Sequence, residues 1–251
     1  MKNIRLPLLC ILLCFFSFSC VAQKRKKLKL PTKLPTSLPT IPGTSGYSLT
    51  DTDIINGLKE ALTKGSNKAS EQLNKTDGFN LDPKVRIPFP EDCKKVSDKL
   101  RDLGFGKKVD EFEIQLNRAA EQAAKEAGPI FVNSIKQMSF EDAKSILKGP
   151  DTAATGYLKK TTYNSLFDAF NPHIKSALEN TLATKMWSDL TGIYNKLPTT
   201  RTKVNSDLVS YTNHKALKGL FTLVAEEELK IRKDPLARTS DILKKVFGSN
   251  Q

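Results

Sequence analysis

The chain has 251 residues, of which 39% are hydrophobic, 27% charged and 8% aromatic. That length buries a sizeable core in one domain or two small ones, and the composition excludes a wholly disordered chain, a polytopic membrane protein, a collagen-like or heptad-only fibre and a disulfide scaffold. The formal net charge of +13 is uneven: eight of the 40 basic residues and no acid precede Ser48, which leaves 32 basic against 27 acidic residues in the remainder.

Residues 1–22 read as a signal peptide. Lys2 and Arg5 form a basic start, and the run LPLLCILLCFFSF from Leu6 to Phe18 is too short for a stable bilayer-spanning helix but has the length of a signal h-region. Two cleavages compete. Signal peptidase I can cut after Ala22, with Cys20 and Ala22 as small flanking residues. Lipoprotein processing can cut before Cys20 and acylate it; Ser19 suits that reaction, whereas Ser17 and Phe18 make a poor lipobox. Cys10, Cys14 and Cys20 all fall in this region, so Cys93 is the one cysteine that remains whichever cleavage occurs. An intramolecular disulfide and a Cys-pair metal site are therefore not expected.

Residues 23–47, QKRKKLKLPTKLPTSLPTIPGTSGY, place prolines at 31, 35, 39 and 42 among Thr and Ser. Missing N–H donors and fixed φ angles block helix and sheet, so polyproline II or disorder is expected. At about 3.1 Å per residue, roughly twenty residues of such a tether hold a domain about 60 Å from an anchor. The cations between 24 and 33 can meet an anionic membrane surface; nucleic acid is not an expected partner of an exported chain.

From Ser48 the punctuation is helical. Thr50 and Asp53 form a capping-box start for Ile54, Ile55, Leu58, Ala61 and Leu62. Phe79–Pro90, FNLDPKVRIPFP, departs from the pattern: three prolines and alternating Val85, Ile87 and Phe89 predict an extended connector, or at most an edge strand, strapped onto the bundle. Cys93 shares a stripe with Val96, Leu100 and Leu103, which predicts a buried, inert thiol. Gly104-Phe105-Gly106-Lys107 lacks the remaining residues of a phosphate loop and reads as a tight interhelical turn. Val109, Phe112, Leu116, Ala119, Ala120, Ala123 and Ala127 form one stripe whose alanines allow close approach, placing this helix centrally. Ser139 and Asp142 repeat the capping box, and Gly149-Pro150 closes that helix. Asn171-Pro172 and Asp234-Pro235 read as N-cap and first-position prolines. Further stripes run through Trp187, Leu190, Ile193, Tyr194 and Leu197, through Leu217, Leu220, Phe221, Val224 and Ile231, and through Ile242, Leu243, Val246 and Phe247. His173 falls in a first turn and His214 opens the penultimate helix, each in a surface or capping role. A short echo links Ile54–Leu58 to Ala216–Leu220, too brief to establish duplication. The expected fold is all-α: a single compact bundle of about eight helices over residues 48–251 with one extended Pro-containing connector.

The segments KVRIPFPEDCKKVSDKLRDLGFG, LNRAAEQAA, PIFVNSIKQMSFEDAKSILKGPDTAATGYLKKTT and HKALKGLFTLVAEEELKIRKDPLARTSDILKKVFG resemble the bacterial domain-of-unknown-function family 4197, from about Leu49 to Gly248. The resemblance implies a mostly helical, exported bacterial protein, often with a lipoprotein-type leader, and brings no catalytic set with it. The long basic tail looks like an addition to the usual pattern.

The candidate polar site is Glu226-Glu227-Glu228. Three adjacent carboxylates span about 200° of a helix, and Glu228 lies on the apolar Val224–Ile231 stripe, where a carboxylate needs a cationic or hydrogen-bonding partner. Arg232 is within helical reach, and Arg238, Arg118 and Arg86 are tertiary options. With Glu227, these residues form either an internal ion-pair cluster fixing helix register or a polar cleft in which paired carboxylates serve as acid and base. No HExxH or GxSxG motif occurs, and no metal or cofactor is expected. The leading functional expectation is a non-enzymatic envelope protein, periplasmic or lipid-anchored to the outer membrane, that binds a partner protein or an apolar ligand between helices. The alternative is a hydrolase-like enzyme using acidic residues in an inter-helical cleft.

Overall fold

The computed structural model describes residues 50–181, 183–185, 187–188, 207–238 and 240–248. The leader, the tether, Cys20 and the stripe from Leu190 to Leu197 lie outside them. The described residues form eight α-helices whose bounds are set, with further helical residues at 183–185 and 187–188, and no strand: α1 Asp51–Leu73, α2 Lys94–Leu100, α3 Gly106–Ala124, α4 Ala127–Gln137, α5 Phe140–Lys148, α6 Ala153–Glu179, α7 Leu208–Lys233 and α8 Asp241–Gly248.

The local signals that start these helices act as the sequence implies. Thr50 and Asp53 exchange side-chain-to-backbone hydrogen bonds of 3.1 Å at the head of α1, and Ser139 and Asp142 do the same at the head of α5. Asp207 caps α7 through the Ser210 N–H at 2.9 Å. The alanine face of α3 is fully buried at Ala119, Ala120, Ala123 and Ala124, and the helix packs along α6, which in turn packs along α7. Small side chains let the α3 and α6 axes approach closely.

Several sequence readings are corrected. The α3 stripe stops at Ala124; a turn at Lys125 and Glu126 intervenes and Ala127 opens α4. Pro172 lies inside α6 rather than at its start. Its missing N–H leaves one helical hydrogen bond unmade, but Phe170, Ile174 and Leu178 are fully buried, and their packing keeps the helix continuous across it. As a consequence His173 is mid-helix, with Nε2 3.1 Å from Glu126. His214 is, for a separate reason, inside α7 rather than at its first turn, because that helix already starts at Leu208. Pro235 opens a one-turn 3-10 helix, Pro235–Ala237, instead of the last α-helix, with Asp234 Oδ1 accepting the Leu236 N–H. Finally, Cys93 is buried as expected, but Leu103, on the same sequence stripe, is 60% exposed because the helix breaks before it reaches the core.

The connector from Phe79 to Pro90 is a strap rather than a strand. Phe79, Val85, Ile87 and Phe89 are buried. The strap's polar backbone is satisfied by side chains of α3 spaced four residues apart, hence on one face. Asn117 Oδ1 accepts the Ile87 N–H at 2.8 Å, and its Nδ2 donates to the Ile87 carbonyl at 2.8 Å. Glu121 Oε1 accepts from the N–H groups of Phe79 and Asn80, and Glu113 Oε1 from that of Phe89. One asparagine side chain thus supplies what a neighbouring strand would have supplied to Ile87. Phe89 then packs with Phe112 and Trp187, ring centroids 5.0–5.9 Å apart.

Gly57 and Gly219, the shared residue of the Ile54–Leu58 and Ala216–Leu220 echo, are both points of close approach. A Cβ on Gly57 would lie 2.7 Å from Val246 Cγ2 of α8, and one on Gly219 would lie 2.9 Å from Phe79 Cε1 and 3.1 Å from Val85 Cβ. Gly219→Ala is therefore expected to destabilise the protein, because overpacking at about 1–3 kcal/mol exceeds a helix-propensity gain of about 1 kcal/mol. Gly156→Ala, in α6 with open space around its Cα, is expected to raise stability by up to about 1 kcal/mol. Urea midpoints of the two variants should move in opposite directions.

Candidate functional site

The carboxylate of Glu228 is buried, and it lies at the N-terminus of α6. Oε1 accepts the Ala154 N–H at 3.0 Å, and Oε2 accepts the Thr155 N–H and Oγ1–H, both at 2.8 Å. Thr152, the residue in cap position, makes no side-chain cap of its own. Glu228 therefore caps α6 from another helix, and its charge also opposes the positive end of the α6 dipole. Arg232, one turn further on, donates Nε–H to Glu228 Oε1 at 2.9 Å and Nη2–H to the Ile146 carbonyl near the end of α5 at 2.9 Å.

Around this pair the neighbouring ionisable groups are also engaged. Glu227 is buried beside Lys68 of α1 and Lys230, at 2.9 and 2.7 Å. Burial opposes its ionisation, yet the hydrogen bonds from Lys230 and Lys68 outweigh that cost and leave its carboxyl below the ordinary value. Glu226 meets Lys84 of the strap at 2.7 Å. Arg238, 4% exposed, donates to the carbonyls of Ile231 and Arg232 and closes the C-terminus of α7.

Arg118 and Arg86 do not join this cluster. Arg118 pairs with Asp77 and Glu121, each at 2.7 Å, and Arg86 with Glu113 at 2.8 Å. Both brace the strap: they hold the same carboxylates that accept its N–H groups. Sequence spacing on α3 (113, 117, 121) carries the signal for that ladder, since residues four apart share one helix face.

Beside Glu228 and Arg232 lies an apolar cavity of about 20 Å³, bordered by Leu58, Leu62, Val224 and Phe247. Its size suits about one water molecule. A different feature has the dimensions of a ligand site: an open groove of about 670 Å³ between α6 and α7. Phe221, Ala225 and Leu229 contribute apolar surface to it, with Lys159, Tyr163, His214 and Lys218 beside them. Tyr163 Oη and His214 Nδ1 share a 2.7 Å hydrogen bond, and His214 packs on Phe167 with centroids 4.9 Å apart. The acids lining the groove have their own cations: Asp151 pairs with Lys233 at 2.6 Å, and Glu226 with Lys84. Among the described residues, Lys159 and Lys218 form no ion pair; the acid whose charge Lys218 also favours, Glu91, is already paired with Lys215 at 2.9 Å, so positive charge in the groove exceeds what its acids neutralise. Of the Glu226-Glu227-Glu228 site singled out from sequence, Glu226 lines this groove and Glu227 and Glu228 do not. Among the described residues, no group of three His, Cys, Asp or Glu side chains is placed to hold a metal ion.

Glu228→Ala should cost about 3 kcal/mol, since it leaves Arg232 without its carboxylate and the head of α6 uncapped. Glu226→Ala, whose partner Lys84 is exposed, should cost under about 1 kcal/mol. Chemical denaturation of both variants measures the contrast; equal small losses would contradict the capping role.

The Glu227 carboxyl has a lowered folded-state pKa, so its stabilising contribution is present above the ordinary value of 4.5 and is lost as pH falls through the folded value. Glu227→Gln should accordingly be less stable than the wild type at neutral pH, and the difference should close as the pH is taken below that range. Urea midpoints across the acid limb test the sign.

No curated protein and no solved structure matches the chain. Residues 48–248, which span all eight helices and the strap, match the family described as a protein of unknown function (DUF4197), and the chain belongs to that family.

Proposed function

We propose that this protein is an exported, non-catalytic binding module of the bacterial cell envelope, and that it takes an acidic segment of a partner protein in the groove between α6 and α7. The observation that carries this reading is the excess of positive charge in the groove. Lys159 and Lys218 stand beside the apolar surface of Phe221 and Leu229, while the local acids Asp151 and Glu226 are already paired. An extended segment with carboxylates and an apolar side chain complements that surface.

Two further considerations support binding over hydrolysis. An acid–base pair needs carboxylates free to exchange protons with a substrate, and both oxygens of Glu228 are occupied by N–H, O–H and guanidinium donors. The cavity beside Glu228 is also too small for an apolar ligand. The hydrophobic leader and the proline-rich basic segment that follows it support an envelope location. Among the described residues, no helix is long and apolar enough to cross a membrane.

A photo-crosslinking amino acid at Lys218, introduced in the native bacterium, tests the proposal. The expected result is a discrete adduct in the envelope fraction, on a protein whose intact mass lacks residues 1–19 or 1–22. The crosslinked partner peptide should be acidic, and Lys159→Glu should abolish the adduct. An adduct indifferent to that charge reversal, or none beyond that of a probe at the exposed Lys244, would count against the groove. Retention of Met1 would count against export.

A further inference from the structure

The groove between α6 and α7 has two unlike ends. The helices run antiparallel, since Thr155 meets Glu228 and Tyr163 meets His214. Lys159, one turn before Tyr163, and Lys218, one turn after His214, therefore stand on the same side of that pair, about 5.4 Å further along the groove. Beyond them lie Phe221 and Leu229, and then Asp151 and Glu226, held by Lys233 and Lys84. The acids that line the groove are thus at the opposite end from His214. The charged groups near His214 are cations or paired acids. On α7 they are Lys218 and Lys215, the latter paired with Glu91 at 2.9 Å; on α6 the cation is Lys159. Asp168 follows Phe167, against which the imidazole packs, but among the described residues no carboxylate forms an ion pair with His214.

We propose, resting on the reading that this groove takes an acidic segment, that Tyr163 and His214 are the pair that reads its carboxylate, and that the carboxylate binds with uptake of one proton on His214. The 2.7 Å bond between Tyr163 Oη and His214 Nδ1 holds one proton, whichever atom carries it. In the neutral pair this leaves one donor for a ligand. It is either the phenol O–H, with Nε2 bare, or Nε2–H, with the phenol proton already engaged on Nδ1. In each case the other group offers only lone pairs, which repel a carboxylate. A protonated imidazole carries hydrogen on both nitrogens. Nδ1–H then donates to Oη, and the phenol O–H and Nε2–H both become available. One donor becomes two, and the pair gains a charge that strengthens both bonds. Among the described residues neither side chain makes another hydrogen bond. A carboxylate within about 4–6 Å favours the imidazolium in turn, and Lys159 and Lys218 add attraction from one turn away. Imidazole is the side chain whose charge ordinarily changes between about pH 5 and 8, where carboxylates stay ionised and lysine and tyrosine stay protonated. Affinity for the acidic segment therefore rises as the pH falls through that range and is lost as it rises.

The test uses the chain as the bacterium processes it and a rhodamine-labelled peptide of glutamates around one leucine. The dissociation constant from fluorescence anisotropy should fall by about tenfold between about pH 8 and about pH 5.5. The chain has two histidines, so their ring protons are readily followed by NMR. Bound peptide should raise the midpoint of the His214 titration and leave that of His173, which sits beside Glu126, in place. Tyr163→Phe and His214→Gln should each flatten the pH dependence, Lys159→Glu should weaken binding at both pH values, and His173→Gln should leave the profile unchanged. Binding that Lys159→Glu removes but that is equal at both pH values would overturn the proton-coupled anchor and leave the groove reading in place. A His214 midpoint indifferent to bound peptide in the unaltered protein would do the same, without reliance on any variant. A pH profile that survives Tyr163→Phe would overturn the pair as the reading element. No binding at either pH would overturn the anchor and the groove together.

Discussion

One buried carboxylate joins three helices. Glu228 sits on α7, accepts the first free N–H groups of α6 and holds Arg232, which reaches the carbonyl of Ile146 near the end of α5. Each partner removes a cost that burial would otherwise impose. The helix start gains acceptors that Thr152 does not provide, the guanidinium gains a carboxylate, and the carboxylate gains four donors. The α5–α6 connection is therefore fixed against α7, and α7 in turn fixes α1 through Glu227 and Lys68. Satisfying these groups engages both oxygens of Glu228, so this carboxylate is committed to holding α5, α6 and α7 together.

A similar economy governs the strap. An extended segment laid across a helical bundle has no neighbouring strand, and its buried N–H and C=O groups must still be met. The α3 face meets them with Glu113, Asn117 and Glu121, while Arg86 and Arg118 neutralise the two carboxylates. Gly219 lets Phe79 and Val85 lie directly on α7. The two ion-pair systems are separate, and each one exists because backbone polar groups had to be buried with apolar side chains.

With the buried charges committed to structure, the α6–α7 groove keeps apolar surface beside Lys159 and Lys218, which form no ion pair among the described residues. The two helices packing side by side leave a concave surface on which charge and apolar area are adjacent.

Much of this was legible in the sequence. The capping pairs Thr50/Asp53 and Ser139/Asp142, the all-α class, the strap with its buried Val85, Ile87 and Phe89, the buried Cys93 and the position of Glu228 next to Arg232 follow from offsets of two, three or four residues, which helix pitch and extended backbone fix locally. What needed the tertiary structure involves partners far apart in the chain. Ala154 and Glu228 are 74 residues apart, and no local rule says which helix start a buried carboxylate will cap. Pro172 signalled a helix start, but the packing of Phe170 and Ile174 outweighed one lost hydrogen bond. Arg86 and Arg118 were free, by sequence, to join either acidic cluster, and the path of the strap assigned them to α3. The groove left no trace in sequence, because Lys159 and Lys218 become neighbours of one cavity only when α6 and α7 pack side by side. Periodicity determined which faces are buried; the packing of those faces against one another decided which charges met.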